Sequence, residues 1–574
     1  MKRVHNSAAI ADQNQSIFTR ASKRNAYRFL MLDGIVSESG EANASRQRTH
    51  RSSTAAQRPT EYSRLSDAFF ATADHFADRP ALITRRNIFC YADLAHQALC
   101  VAEHLLADDR YRPGDRIVVM LDNGPEFIAA YYGILAAGGV VVPLPANIEW
   151  CRLERIARMC SVRNFVSSQR ILGRRPEVVP RACASLERAG SRPLRVPDVE
   201  PLCINNQSLA MIMFTSGSSG DPKGVMLSDC NLLSNTESIL NYLPITHRDR
   251  SLALLPFYHA FGHSILQTHL LCGATLVVDG RMVFPTTVVD ALEHHAATSF
   301  SAVPEGFYSL LTMSDLGDRD LPHLKYMSVA GGALKPEAVL EVARHIAPAE
   351  FYVMYGQTEA SARLAYLPPR LAETHPDSIG QAIPGVQLRV LDEQGREAKR
   401  NETGELCARG DNVMLGYWND PKTTRGVLRD GWLRTGDLAS RDEQGLLHVK
   451  ARNSDLVKVQ GFRVHPREIE ETVSRHFSEM RVIVVPYQQN GTTRLALYGI
   501  TAKKARHLPD ELRNVCSREL PRHKVPSFVE VLPRAPINAS MKLDRAALKR
   551  RAEYHSGTGA EHCPENGIPK RLPA

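Results

Sequence analysis

Phe214-Thr215-Ser216-Gly217-Ser218-Ser219-Gly220-Asp221-Pro222-Lys223-Gly224-Val225 sets small hydroxyl residues, three glycines and a lysine directly after the apolar run Ala210 to Phe214. The apolar run reads as a buried strand, so the polar residues form a loop at a strand end. Glycines there let the backbone approach an anion, while N–H groups and the hydroxyls of Thr215, Ser216, Ser218 and Ser219 donate to it. Lys223 adds positive charge, and the whole suits a polyphosphate. A kinase-type phosphate loop would need Gly, four residues, then Gly-Lys-Ser/Thr; Pro222 before Lys223 and Gly224 after it exclude that reading. A flexible Gly/Ser surface turn is the competing interpretation of the stretch alone.

Outward from the loop, apolar segments alternate in period. Leu65 to Phe76 carries helical spacing; Asp115 to Leu121, Phe127 to Ala137 and Val140 to Val142 read as strand, helix, strand. Beyond the loop, Val225 to Leu227 reads as a strand, Ser228 as an N-cap, and a helix runs to about Tyr242. Strands are expected at Leu252 to Leu255, Ala274 to Val278, Ser299 to Val303, Tyr326 to Val329 and Phe351 to Met354, with helices between. This alternation predicts an α/β fold with a parallel sheet. Ligands in such sheets gather beyond the carboxyl ends of strands, where Thr215 to Gly220, Gly331-Gly332 and Tyr355-Gly356 all fall, so one crevice is expected to hold the three.

From about Ile379 the texture changes to short glycine-punctuated β segments (Val386 to Leu391, Gly404 to Arg409, Gly445 to Lys450), a small barrel-like subdomain. Near Arg452 it changes again: Val457 to Val464 supplies paired strands, Pro466 opens a helix bearing Glu468, Ile469 and Glu470, and Asn490-Gly491 separates two apolar runs as a hairpin turn does. The expected organisation is a basic disordered leader (1–62), a large N-terminal domain of parallel-sheet αβ layers with the barrel-like part (63–450), a small mobile C-terminal α+β domain (451–555) and a disordered tail (556–574).

The formal net charge of +9 on 574 residues suggests nucleic acid until its placement is considered. Met1 to Thr60 holds ten Lys and Arg against four Asp and Glu, so most of the excess lies in the Ser-, Arg- and Asn-rich leader and the remainder is nearly balanced. A transit peptide, or a later start at Met31, are two readings of that leader. Eleven scattered cysteines with no Cys-x-x-Cys pair fit a reducing compartment, with cytoplasm as the expectation. The most apolar window, Phe127 to Ala146, is divided by Gly138-Gly139, Pro143 and Pro145, which argues against a membrane span.

Later stretches make the phosphate loop specific by their order. They are Leu255-Pro256-Phe257-Tyr258-His259-Ala260-Phe261-Gly262, Ala330-Gly331-Gly332-Ala333, Tyr355-Gly356-Gln357-Thr358-Glu359, Trp432-Leu433-Arg434-Thr435-Gly436-Asp437, Arg452 through Glu470, and Met541-Lys542-Leu543-Asp544-Arg545. With them the chain, from about Ser63 to Arg550, resembles the adenylate-forming superfamily of acyl-CoA synthetases, nonribosomal adenylation domains and luciferases. The resemblance implies that a carboxylate attacks the α-phosphorus of ATP, pyrophosphate leaves, and a thiol then takes the acyl group from the acyl-adenylate. Because negative charge accumulates on groups that are already anionic, placed cations and donors must supply most of the catalysis.

By that resemblance Thr215, Ser216, Gly217, Ser218, Ser219, Gly220 and Lys223 hold the β- and γ-phosphates, Thr358 touches the α-phosphate, and Glu359 holds Mg²⁺. Tyr355, beside Gly356, stacks on adenine, Asp437 accepts the ribose hydroxyls, and Arg452 reaches the ribose from the domain junction. Lys542 sits between the two reacting anions. The small domain closes to deliver it, then reorients so that Lys458 and Gly461 face the crevice and open a thiol tunnel. His259 gates the acyl site. His259 and His263 lie four apart, yet no Glu follows in His-Glu-x-x-His order, which argues against zinc.

Three positions depart from the family: Ala451 where Gly is usual, Ser454 where an Asp or Lys hinge is usual, and Met541 where Gly often precedes the catalytic lysine. Ala260 stands where amino-acid-activating members place an Asp for the substrate ammonium, so a fatty or aryl acid is expected. Phe257, Ala260, Phe261, Val303, Phe307, Gly332 and Ala333 are the expected pocket walls. No carrier segment follows, so the acceptor thiol belongs to coenzyme A or to the phosphopantetheine of a separate acyl or peptidyl carrier protein. Two other classes stay open: a nucleotide-binding regulator disabled through Ala451, Ser454 and Met541, and a nucleic-acid-binding protein that uses the basic leader.

Overall fold

The computed structural model describes residues 62–168, 183–184, 208–216, 222–280, 282, 284–452, 457–459, 462–477, 480–489, 492–501, 507–538 and 542–556. The leader up to residue 61, the phosphate-loop tip 217–221, Ser454, Gly461, Met541 and the tail beyond Ser556 lie outside the described residues.

Two large sheets organise most of the described chain up to Tyr417. One has nine strands, ordered Gln381–Ala382, Ala365–Leu367, Glu350–Tyr355, Tyr326–Val329, Ser299–Ala302, Arg250–Leu252, Thr275–Val278, Pro80–Thr84, Ile88–Cys90. Its centre is parallel, as Ser299↔Tyr326 and Tyr326↔Glu350 show, and its edges turn antiparallel. The other has seven strands, ordered Gly416–Tyr417, Pro222–Ser228, Leu209–Ser216, Val140–Pro143, Arg116–Met120, Asn164–Ser167, Cys183–Ala184. Fully buried runs such as Ile117 to Val119 and Val140 to Val142 are what a parallel strand covered on both faces requires.

Helices Leu65–His75, Tyr91–Leu106, Pro125–Ala136 and Ala260–Leu271 contribute to the largest apolar core, where Phe69 stacks on Tyr132 at 3.8 Å. Tyr91–Leu106 and Pro125–Ala136 pack closely at Gly133: a Cβ there would lie 2.4 Å from the Ala98 carbonyl. The apolar window Phe127 to Ala146 is thus a core helix and a strand, and no helix among the described residues is long and apolar enough to cross a membrane. Ser228 caps Asp229–Leu240, its hydroxyl accepting from the Asn231 N–H at 3.1 Å, a cap of about 1 kcal/mol.

Two expectations need correction. The phosphate stretch does not begin beyond a strand end: Leu209–Ser216, parallel to Val140–Pro143, pairs antiparallel with Pro222–Ser228, so Thr215 and Ser216 stand within the strand and Lys223 on its return partner, opposite Thr215. The strand expected over Leu252 to Leu255 is Arg250–Leu252; past it only the Ala253 N–H keeps the pairing, donating to Val277 O at 2.8 Å.

The glycine-punctuated region forms a curled antiparallel sheet of Gln387–Leu391, Gly404–Arg409, Trp432–Arg441 and Leu428–Arg429, with Leu447–Arg452 added on Trp432–Arg441. The last part packs helices Pro466–Ser474 and Leu508–Glu519 against the strands Arg481–Gln489, Thr492–Ile500 and Phe528–Leu532, around Ile469, Val484, Leu497 and Leu512. Gln489 pairs with Thr492, the register that a two-residue hairpin connection demands. Ala451 lies in extended strand opposite Leu438, so the side chain there strains nothing.

Candidate active site

Tyr326–Val329 and Glu350–Tyr355 run side by side, with Val329 opposite Val353, so Gly331 and Tyr355 leave the sheet from the same edge. The chain then turns back on itself tightly. A Cβ on Gly356 would lie 1.9 Å from the Ala362 carbonyl oxygen, which excludes any side chain there. Within the turn, Thr358–Ala360 forms one 3₁₀ turn and Ser361 is left-handed.

This turn meets the phosphate hairpin through Tyr417. Gly416–Tyr417 adds to the hairpin as a third strand, Tyr417 opposite Val225, and the Trp418 N–H donates to Gly224 O at 2.7 Å. The Tyr417 hydroxyl donates to Glu359 Oε1 at 2.8 Å, and Lys223 Nζ lies 5.3 Å from the centre of the same ring. One tyrosine therefore holds the candidate phosphate lysine and the candidate metal carboxylate at a common wall.

Asp437 approaches from the curled sheet. The buried Thr435 hydroxyl donates to Leu406 O at 2.7 Å and accepts from the Asp437 N–H at 3.2 Å, fixing the carboxylate's stem. Tyr355 Oη donates to Asp437 Oδ2 at 2.5 Å. A cavity of about 360 Å³ opens between Gln357, Glu359, Tyr417, Thr435 and Gly436. Its volume falls within the range of small-molecule sites. Arg452 pairs with Asp437 in the sheet, so its backbone flanks the same wall.

Lys542 comes from the last domain. A Cβ placed on Gly331 would stand 3.4 Å from Lys542 Nζ and 3.5 Å from Val303 Cγ1, so the ammonium lies at the strand end that also carries Tyr355. Asn538 brackets Lys542, its Oδ1 accepting from the Lys542 N–H at 3.1 Å. His259 feels the ammonium: burial first, then Lys542, pushes its imidazole down to about 4, which keeps it neutral.

His259 is the N-cap of Ala260–Leu271, and its buried Nε2 has no hydrogen-bond partner. Asn123 shapes the turn before it, donating to Leu255 O at 2.8 Å and accepting from the Phe257 N–H at 2.9 Å. His263 is wholly core: its Nδ1 lies 3.1 Å from Phe257 O and its ring stands edge-on to Tyr131. His259 and His263 thus have different surroundings, and no metal-binding group of three His, Cys, Asp or Glu occurs among the described residues.

Of the pocket-wall candidates, Ala260 and Phe261 are half-buried, Gly332 and Ala333 are exposed, and Val303 touches the Gly331 position. Phe257 and Phe307 are fully buried in cores, packed on Phe127 and on Phe300 and Phe351 respectively. The Lys458 backbone stands opposite Arg463, in the two-stranded ribbon Val457–Val459 and Phe462–Val464. Gly217, Ser218, Ser219, Gly220 and Gly461 lie outside the described residues. Tyr417 and Asn123 escaped the sequence reading, because each works through a partner more than fifty residues away.

Residues 69–418 match the AMP-binding enzyme family, more than half of the chain. The long-chain-fatty-acid–CoA ligase of Yersinia pestis is 30% identical over 538 residues, 86% of this chain and 95% of the relative. That of Bacillus subtilis (strain 168) is 27% identical over 534 residues, 84% of this chain and 94% of the relative. Among solved structures, ATP-bound MatB from Rhodopseudomonas palustris superposes with a TM-score of 0.74 at 25% identity, covering 86% of this chain and 99% of that one. The o-succinylbenzoate CoA synthetase of Bacillus subtilis, in complex with its acyl-adenylate, gives 0.72 at 25% identity, covering 84% and 97%. Fold and relatives define an acid–thiol ligase of the AMP-forming type. The chain belongs to the AMP-binding enzyme family.

Proposed function

We propose that this enzyme activates a fatty or aryl carboxylic acid with ATP, releasing pyrophosphate, and transfers the acyl group from the adenylate to coenzyme A. The observation that carries the proposal is Lys542 Nζ beside Gly331, at the strand end that also carries Tyr355. The thiol-transfer step is supported by relatives named as CoA ligases, and the nucleotide by ATP-bound neighbours.

In this reading Lys223 and the hairpin tip hold the β- and γ-phosphates, and Thr358 contacts the α-phosphate. Asp437, oriented by Tyr355, accepts from the ribose. A single carboxylate braced by one phenol, with substrate phosphates beside it, fits Mg²⁺, which takes one or two carboxylates and completes its shell with phosphates and water. Bound at Glu359, Mg²⁺ would supply charge neutralisation. Lys542 lowers the repulsion between the carboxylate and the α-phosphate as they approach, and His259, kept neutral, leaves the adjacent acyl space without a competing charge. Residues 63–450 form the body, whose last strand runs to Arg452, and 451–555 the lid; after adenylation the lid turns to present Lys458 and Gly461 to the thiol.

The test is ATP–pyrophosphate exchange over a panel of fatty, aryl and amino acids, then product analysis after adding coenzyme A or a phosphopantetheinylated carrier protein to the best acid. Acid-dependent exchange and an acyl-CoA product are expected. ATP binding without exchange on any acid contradicts the proposal.

A further inference from the structure

The structure buries a guanidinium with no counter-ion behind the acyl space. Arg363 is 2% exposed, and no Asp or Glu among the described residues comes within 4.0 Å of it. Its Nε donates to Met354 Sδ at 3.0 Å, while its Nη1 is buried without a partner. The guanidinium lies 4.1 Å from the centre of the Phe261 ring, has Tyr242 as a side-chain hydrogen-bond partner, and is favoured electrostatically by the Tyr242 and Tyr326 phenols.

The backbone is bent to put it there. Ser361 and Ala362 have φ of 57° and 124°, two successive side-chain-bearing residues in a region that L-residues avoid. The Asn235 and Asn412 amides each donate to the Arg363 carbonyl at 3.0 Å and lock the bend. Strain and a costly buried cation are spent at one residue, four positions after Glu359.

Phe261 is half-buried, two residues after His259, and Ala330, directly before Gly331, belongs to the same aromatic cluster as Phe261, Tyr242 and Tyr326. The Phe261 ring, on the chain just after His259, covers the guanidinium, so a carboxylate reaches Arg363 only when that ring turns aside. Aromatic faces offset only part of the desolvation of a guanidinium, and a carboxylate would answer its fork of donors with two bonds.

Resting on the reading of this crevice as an acid-activating site, we propose that Arg363 sets specificity by binding a second carboxylate, at the end of the substrate remote from the carboxyl that is activated. A plain aliphatic chain would leave the buried N–H unanswered, and such sites discriminate strongly against analogues that lack the acceptor.

The experiment is pyrophosphate exchange by the full-length enzyme, with ATP and Mg²⁺, on matched monocarboxylic and dicarboxylic acids of equal carbon number. The wild type is expected to favour the dicarboxylic member of the best pair by about a hundredfold in kcat/KM. Arg363→Met is expected to abolish that preference and Arg363→Lys to keep part of it. Preference of the wild type for the monocarboxylic member at every length overturns the inference, and needs no variant to fold. So does an Arg363→Met loss shared equally by both members of each pair. Exchange on neither series overturns the parent reading and this one together; exchange confined to monocarboxylic acids overturns this one alone.

Discussion

Arg481 Nη2 donates to Glu305 Oε1 at 2.9 Å, joining the first strand of the last domain's sheet to the first turn of the helix that follows Val303. Both side chains are largely shielded, at 21% and 9% exposure, and the guanidinium also lies 4.8 Å from the centre of the Tyr308 ring. Nearby, Lys335 Nζ donates to Met480 O at 3.2 Å. These contacts hold the last domain where Lys542 meets Gly331. Glu305→Gln is therefore expected to slow adenylation about tenfold, and a double-mutant cycle with Arg481→Ala to give an interaction energy of about 1.4 kcal/mol. Thioester formation from supplied acyl-adenylate is expected not to slow, because in the proposed lid motion the last domain lies elsewhere for that step. Rapid-quench measurement of the two half-reactions checks the split.

Tyr355→Phe keeps the ring and removes the donor to Asp437. The carboxylate then loses the bond that aims it, so KM for ATP is expected to rise about tenfold with a smaller change in kcat. Steady-state kinetics at saturating acid decide it.

Gly356→Ala forces a Cβ to 1.9 Å from the Ala362 carbonyl, a backbone atom that no rotamer change can move. A destabilisation of about 1–3 kcal/mol or more is expected. Gly426, with nothing within 4 Å of its Cβ position and in the helix Pro421–Val427, is the control: Gly426→Ala is expected to be neutral or slightly stabilising. Thermal melting of both variants tests the contrast.

Most secondary-structure elements could be read from the chain, because buried parallel strands and amphipathic helices write their periods into residues such as Val140 to Val142 and Leu65 to His75. Strand direction is not written that way. The apolar runs Ala210 to Phe214 and Val225 to Leu227 both read as strands, but only the pairing of Thr215 with Lys223 shows that they form an antiparallel hairpin. Candidate site residues embedded in ordered motifs, such as Glu359 and Asp437, were legible as candidates before their geometry. Tyr417, Asn123, Arg363 and Arg481 were not, since each matters through a contact with a distant segment.

His259, His263 and His269 are each held down at about 4 by burial, against an ordinary 6.5. Their neutral forms alone suit the fold, so unfolding takes up protons below 6.5, and stability is lost as pH falls from there toward about 4. Asp229 opposes them: burial raises its carboxyl to about 6, so its contribution is lost as pH rises from 3.8 through about 6. His247 is lowered in the same sense as these imidazoles, and Asp67 and Glu103 are raised in the same sense as Asp229; the three deeply buried imidazoles carry the larger shifts, so the urea midpoint is expected to fall on acidification across that window. His269→Gln is expected to flatten the slope.

The most direct measurement is single-turnover formation of acyl-adenylate by Lys542→Ala, with ATP and the best acid, in rapid quench. A fall in rate of about two to three orders of magnitude, with ATP still bound, is the result the account predicts. Acyl-adenylate formed at the wild-type rate would contradict it.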